Sequence, residues 1–114
     1  MNRNICVEEM LKVSVLTEED HIVSEKMSKL YKVLSEPKRV KIVLALSKGE
    51  LCVHQLIKLV GAEQSLVSHQ LKILRDANLV KTEKRGNEVV YSLSDRHVFE
   101  LLKVAKDHVC EGGL

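Results

Sequence analysis

Asp95, His97, His108 and Glu111 follow one another at separations of two, eleven and three residues near the end of a 114-residue chain. Two imidazoles and two carboxylates make a four-coordinate donor set that favours Zn(II), with Co(II) as a surrogate. On a helix, at about 100° per residue, the step from His97 to His108 returns to within roughly 20° of the same face. His108 and Glu111 are an i, i+3 pair, so all three share a stripe. Along the axis, however, His97 and His108 stand about 16 Å apart, whereas a zinc ligand lies about 2 Å from its ion. One helix cannot close this site. Two antiparallel copies can, because Asp95 and His97 of one would then meet His108 and Glu111 of the other, giving two symmetric sites. His97, Leu101, Val104, His108 and Glu111 follow a four-three-four-three spacing, the pattern of a helix-helix seam. The plainer reading is an exposed amphipathic helix decorated with polar groups, with His108 near the C-terminus favouring the helix dipole.

A second constellation lies upstream. Gln64, Ser65, Ser68, His69, Gln70, Lys72 and Arg75 are short polar and basic groups on one predicted helix, the chemistry that reads base edges in a major groove. Leu71 and Leu74 would anchor its opposite face. Lys84 and Arg85, at the tip of a predicted hairpin, would bring cations to the flanking backbone or minor groove, and Lys38, Arg39 and Lys41 would add phosphate contacts. Taken alone, such residues are also what any exposed helix carries; the hairpin directly after the helix is what favours DNA.

The elements that must position these groups follow from composition and periodicity. Apolar residues make up 45% and charged residues 30% of the chain, a balance expected of one globular domain. Trp is absent and Tyr31, Tyr91 and Phe99 are the only aromatic residues, so the core must be aliphatic. No apolar run approaches a membrane span and no secretory pattern opens the chain, which places the protein in the cytoplasm. Residues 1–20 carry two basic and five acidic side chains, leaving 16 basic against 11 acidic, a surplus of +5, for residues 21–114. A polyanion partner is compatible with that surplus.

Residues 1–16 lack strong periodicity and read as a partly mobile arm; residues 17–114 form the domain. Thr17 and Asp20 make a capping box opening a helix whose apolar residues Val23, Met27, Leu30 and Leu34 recur at helical spacing. Pro37 suits the first turn of a second helix that runs to Gly49. A third helix, over about residues 52–60, is closed by Gly61, and a fourth ends near Asn78. Two short helices joined by a Gly-containing turn make a helix-turn-helix layout. Residues 79–85 and 88–93 read as strands around Gly86-Asn87. Ser94 caps a last helix over about residues 95–110, stopped by Gly112-Gly113. The fold class is therefore mainly α with a small β-hairpin: a winged helix-turn-helix with an extra, dimerising helix at each end.

Along Leu34-Ser35-Glu36-Pro37-Lys38-Arg39, Glu50-Leu51-Cys52-Val53-His54-Gln55-Leu56, the stretch from Gln64 to Arg75 and the C-terminal helix, the chain resembles the ArsR/SmtB family of bacterial metal-sensing repressors. The match runs from about residue 25 through nearly all that follows, with Val67-Ser68-His69-Gln70-Leu71 the most characteristic part. The resemblance implies a homodimer on an inverted-repeat operator, released when a metal binds, and control of metal efflux or sequestration genes. Asp95, His97, His108 and Glu111 match all four positions of the family's C-terminal zinc site, implying Zn(II), or Co(II) or Cd(II), as regulatory ligand. Related sensors of soft metals carry Cys-x-Cys where this chain has Cys52-x-His54. Cys6 on the arm would be a third ligand of a second site there, but the loss of one thiolate counts against arsenite and weakens Cd(II) or Pb(II).

The three cysteines, Cys6, Cys52 and Cys110, are too few and too widely spaced for a disulfide framework. Cys110 falls about 200° from His108 on a helix, off the metal stripe. A thiol-based redox or sulfide-sensing repressor using Cys52 with Cys6 or Cys110 is the competing regulator. Enzymatic chemistry is not expected: four protein ligands leave zinc no open position, and no nucleophile and base are arranged for attack.

Overall fold

The computed structural model describes residues 15–114. The arm's residues 1–14, Cys6 among them, lie outside this description. Two compact units divide the chain after Tyr31.

Helix α1 (Glu18–Val33) starts as its sequence dictates: the Thr17 amide donates to Asp20 Oδ2 at 2.9 Å, and the Asp20 amide donates to Thr17 Oγ1 at 3.1 Å. This reciprocal box satisfies donors that an uncapped first turn leaves open. The three acids Glu18, Glu19 and Asp20 sit at the positive end of the helix dipole.

The second unit builds its core from every helix it contains. Helix α2 (Pro37–Leu46) is capped by Glu36, whose carboxylate accepts from the Arg39 amide at 3.1 Å, and Pro37 supplies a first-turn residue with no amide to satisfy. Helix α3 (Val53–Val60) ends on Gly61 in the left-handed region, at φ +69, which a residue with a Cβ adopts only with strain. Helix α4 (Gln64–Asp76) follows after a short turn and ends on Asn78 at φ +59, with Leu79 N–H bonded to the Leu74 carbonyl at 2.9 Å. Ile42, Val43 and Leu46 of α2, Leu56 of α3, Val67, Leu71 and Leu74 of α4, then Leu79 and Val80, meet Val98 and Leu102 of helix α5 (Arg96–Cys110) in one aliphatic core. Fully burying each such side chain contributes about 1.5–3 kcal/mol.

The predicted hairpin forms as β2 (Val80–Arg85) and β3 (Glu88–Leu93), in register from Val80 opposite Leu93 to Arg85 opposite Glu88. A third strand, β1 (Leu51–Cys52), pairs antiparallel with β3 and makes the order β1-β3-β2. The sequence reading missed β1 because two residues carry no periodicity. They pair because β3 otherwise exposes an open edge of amides and carbonyls beside the start of α3. Boundaries also move: α2 ends at Leu46 rather than running to Gly49, β2 begins at Val80 rather than Leu79, Cys52 is the N-cap of α3 rather than its first residue, and Asp95, not Ser94, caps α5 by accepting from the Val98 amide at 3.1 Å.

Candidate DNA-reading helix and metal ligands

Gln64, Ser65, Ser68, His69, Lys72 and Arg75 are exposed on α4, and Val67, Leu71 and Leu74 are buried. Core packing thus turns the short polar groups outward as a set. Gln70 departs from the sequence expectation. It is only 8% exposed, and its Oε1 accepts from Arg39 Nη1 at 2.8 Å. The reason is positional, since residues 67, 70, 71 and 74 occupy one arc of a helix regardless of polarity. Arg39, expected at the phosphate backbone, is half-buried and also donates from Nε to the Val33 carbonyl at 2.6 Å.

At the hairpin tip Lys84 is exposed, whereas Arg85 is held by two carboxylates. Its guanidinium makes a two-point pair with Glu50, and Nη2 also donates to Glu83 Oε2 at 2.9 Å. These bonds raise the Arg85 pKa further above its usual range, and the Arg85 bond holds the Glu50 carboxyl below the usual glutamate range. Glu83 was legible as a partner, because residues two apart share a strand face. Glu50, 35 residues away, left no sequence signal.

The four metal-ligand candidates divide into two pairs at opposite ends of α5. Asp95 Oδ1 lies 3.5 Å from His97 Nδ1, with His97 almost fully exposed. His108 lies in the last turn and Glu111 is the C-cap residue. There the Gly113 amide donates to the His108 carbonyl at 2.9 Å and the Gly112 amide to the Val109 carbonyl at 3.2 Å, with Gly112 at φ +88. This is a Schellman closure. It lays Gly113 against the His108 imidazole, where a Cβ would collide with the ring.

Among the described residues no three His, Cys, Asp or Glu side chains of one chain converge on a common point. Helix α5, at 15 residues, spans about 22 Å, which keeps its two donor pairs apart. Each end carries one carboxylate and one imidazole, donor types that suit Zn(II). Elsewhere Cys52 is half-buried at the N-cap of α3, where its amide donates to Gln55 Oε1 at 2.9 Å, and His54 is exposed on the first turn. Cys110 is a free, exposed thiol at the end of α5. No described helix is long and apolar enough to cross a membrane.

Comparison with known proteins bears on the family and the fold. Residues 36–82, from α2 through α4 into β2, match the family described as bacterial regulatory protein, arsR family. A transcriptional repressor SmtB homolog of Synechocystis sp. is 40% identical over 88 residues, covering 77% of this chain and 67% of the relative. A cadmium resistance transcriptional regulatory protein CadC homolog of Staphylococcus aureus is 39% identical over 83 residues, covering 72% of this chain and 69% of the relative. The crystal structure of NolR from Sinorhizobium fredii superposes with a TM-score of 0.72 at 33% identity, over 81% of this chain and 92% of that one. With a helix-turn-helix, a β-wing and flanking helices in the family's order, the chain belongs to the ArsR family of bacterial DNA-binding transcriptional regulators and is not an enzyme.

Proposed function

We propose that the protein is a homodimeric repressor that binds operator DNA and releases it when Zn(II) bridges the α5 helices of two copies. The observation that carries this reading is the division of the donors on α5. Asp95 and His97 stand 3.5 Å apart at its start, and His108 and Glu111 are held at its end by the glycine closure. Neither pair completes a zinc sphere, and antiparallel apposition of two such helices brings unlike pairs together. Leu101 and Val104, which lie between the pairs, are exposed large apolar residues in the isolated chain, as a helix-helix seam requires. The cadmium-resistance relative supports a metal effector for this branch of the family.

On DNA, α4 occupies the major groove with Ser68, His69, Lys72 and Arg75 toward base edges and phosphates, and the β2–β3 wing lies beside it. Asp95 and His97 of one copy and His108 and Glu111 of the other would hold Zn(II), and this shared coordination would tie the two α5 helices together and so favour one spacing of the two α4 helices. If that spacing fits the operator poorly, metal and DNA weaken each other by the same free energy.

The test is an optical titration of the reduced, metal-free protein with Co(II), followed by displacement with Zn(II). One tetrahedral Co(II) per protomer without a thiolate charge-transfer band is expected. A strong thiolate band would move the metal to Cys52 and overturn the assignment to α5; no binding would overturn metal sensing.

A further inference from the structure

Gln70 is the one buried polar or charged residue among those described, and it sits inside the apolar arc of the helix that faces DNA. A buried amide is costly unless bonded, whereas a leucine there would pack at no such cost. Its partner is Arg39, on a different helix and 31 residues away in sequence. Arg39 is itself fixed at two further points: its Nε donates to the Val33 carbonyl at 2.6 Å and its backbone amide to Glu36 Oε2 at 3.1 Å. The guanidinium is planar and rigid, so its Nε and Nη1 bonds together fix where the Gln70 amide lies relative to the Val33–Glu36 corner.

Hydrophobic contacts have no direction, so burial of Val67, Leu71 and Leu74 sets which arc of α4 faces the core but fixes its exact rotation less sharply than a directional bond does. A hydrogen bond does have direction and a narrow distance range. Turning a helix by about 20° moves side-chain ends, which lie about 5–6 Å from the axis, by about 2 Å. That exceeds the tolerance of a bidentate contact to a base edge. Ser68, His69 and Lys72 are on the same rigid helix as Gln70, so the Arg39 bond sets their presentation as well.

From this we propose that Arg39 and Gln70 are positioning residues for DNA recognition: their bond sets the rotation of α4 and so determines base-sequence specificity, while touching no base. The inference rests on α4 being the DNA-reading helix. It assigns Arg39 a different role from a phosphate contact, and the two roles separate experimentally.

The full-length chain is first used to select duplexes from a random pool, and binding of a selected duplex and of an unrelated duplex of equal length is then followed by fluorescence anisotropy across a salt series. Arg39→Lys and Gln70→Leu are each expected to reduce the selected-to-unrelated affinity ratio by about tenfold, the size of a lost base contact. The double variant should be no worse than the poorer single variant, because both remove one bond. Gln70→Glu, which keeps an acceptor for Arg39, should retain the wild-type ratio. Binding to the unrelated duplex and its salt slope should not change. Circular dichroism establishes that each variant is folded, and Arg39→Lys and Gln70→Glu still decide the matter should Gln70→Leu not fold. An unchanged ratio accompanied only by a lower melting temperature would overturn the proposal, leaving the bond a packing feature. So would an equal loss on both duplexes with a salt slope smaller by about one, the mark of a phosphate contact. If the wild-type chain enriches no duplex, the assignment of α4 as the reading helix falls, and this inference with it.

Discussion

Arg85 of the wing and Glu50, which precedes β1, form a two-point ion pair across 35 residues of sequence, with Nη2 of the arginine 3.0 Å from Oε2 of the glutamate. Glu83 adds a second carboxylate at 2.9 Å, so the cation at the wing tip lies in a cluster whose formal charge is −1, from one arginine and two glutamates. A phosphate must compete with these acids for Arg85. Glu50→Gln removes one competitor, and DNA affinity at low salt should rise several-fold with a salt slope steeper by at most about one. Arg85→Ala should weaken binding. Both are read by anisotropy, and neither should move the melting temperature much, because exposed ion pairs contribute little to stability. A fall in affinity for Glu50→Gln would show that the clasp holds the wing in its binding position instead.

The same pair gives a pH dependence of definite sign. The Arg85 hydrogen bond holds the Glu50 carboxyl below the usual glutamate range. Its contribution to the fold is therefore present above that range and is lost as the pH falls through the lowered pKa. Carbon-detected NMR of the Glu50 carboxyl should show a midpoint below that of ordinary glutamates, returning to the usual range in Arg85→Ala.

Both histidines of α5 are exposed, so their removal should affect metal binding without unfolding the chain. His97→Ala and His108→Ala should each abolish the tetrahedral Co(II) spectrum and the metal response while leaving operator binding intact. Stability should stay within about 0.5 kcal/mol of wild type, as for exposed substitutions generally. Cys52→Ser and Cys110→Ser should keep the full response; its loss in Cys52→Ser alone would instead favour thiol sensing.

Gly112 closes α5 at φ +88, where an alanine is strained by about 1 kcal/mol. Gly112→Ala should loosen only the end that carries His108 and Glu111. Hydrogen exchange should quicken at the last-turn amides and not at Val98 or Leu102, and Co(II) affinity should fall. Equal exchange throughout the helix would show that the glycine closure does not hold those ligands.

Much of this was legible in the sequence because it depends on local rules. The Thr17–Asp20 box, the Pro37 start, the Gly61 stop and the limits of β3 follow from caps, fixed dihedrals and alternation over a few residues. The errors arose where a distant partner decides. Gln70 was read by its chemical type as a groove residue, although its position between Val67 and Leu71 on a buried arc, with Arg39 opposite, turns it inward. Arg85 was read as a cation for the DNA backbone or minor groove, and its ion pair with Glu50 was not foreseen, because nothing near it in sequence announces that partner. The proposed α5 ligands came from helical periodicity and the family resemblance, and by the same arithmetic a second helix would be needed to bring the two pairs together.

The small strand β1 has a consequence for how this protein tolerates change in length. Leu51 and Cys52 pair with Tyr91 and Val90, so the segment entering α3 is stitched into the same ladder as the wing. Adding or deleting one residue between Gly49 and Cys52 would slip that ladder and reverse which side chains face the core. Residues inserted at Gly86-Asn87, beyond the last paired rung of Arg85 and Glu88, would only lengthen the free tip. The tip is thus where the length of the wing can be altered without disturbing the helices behind it.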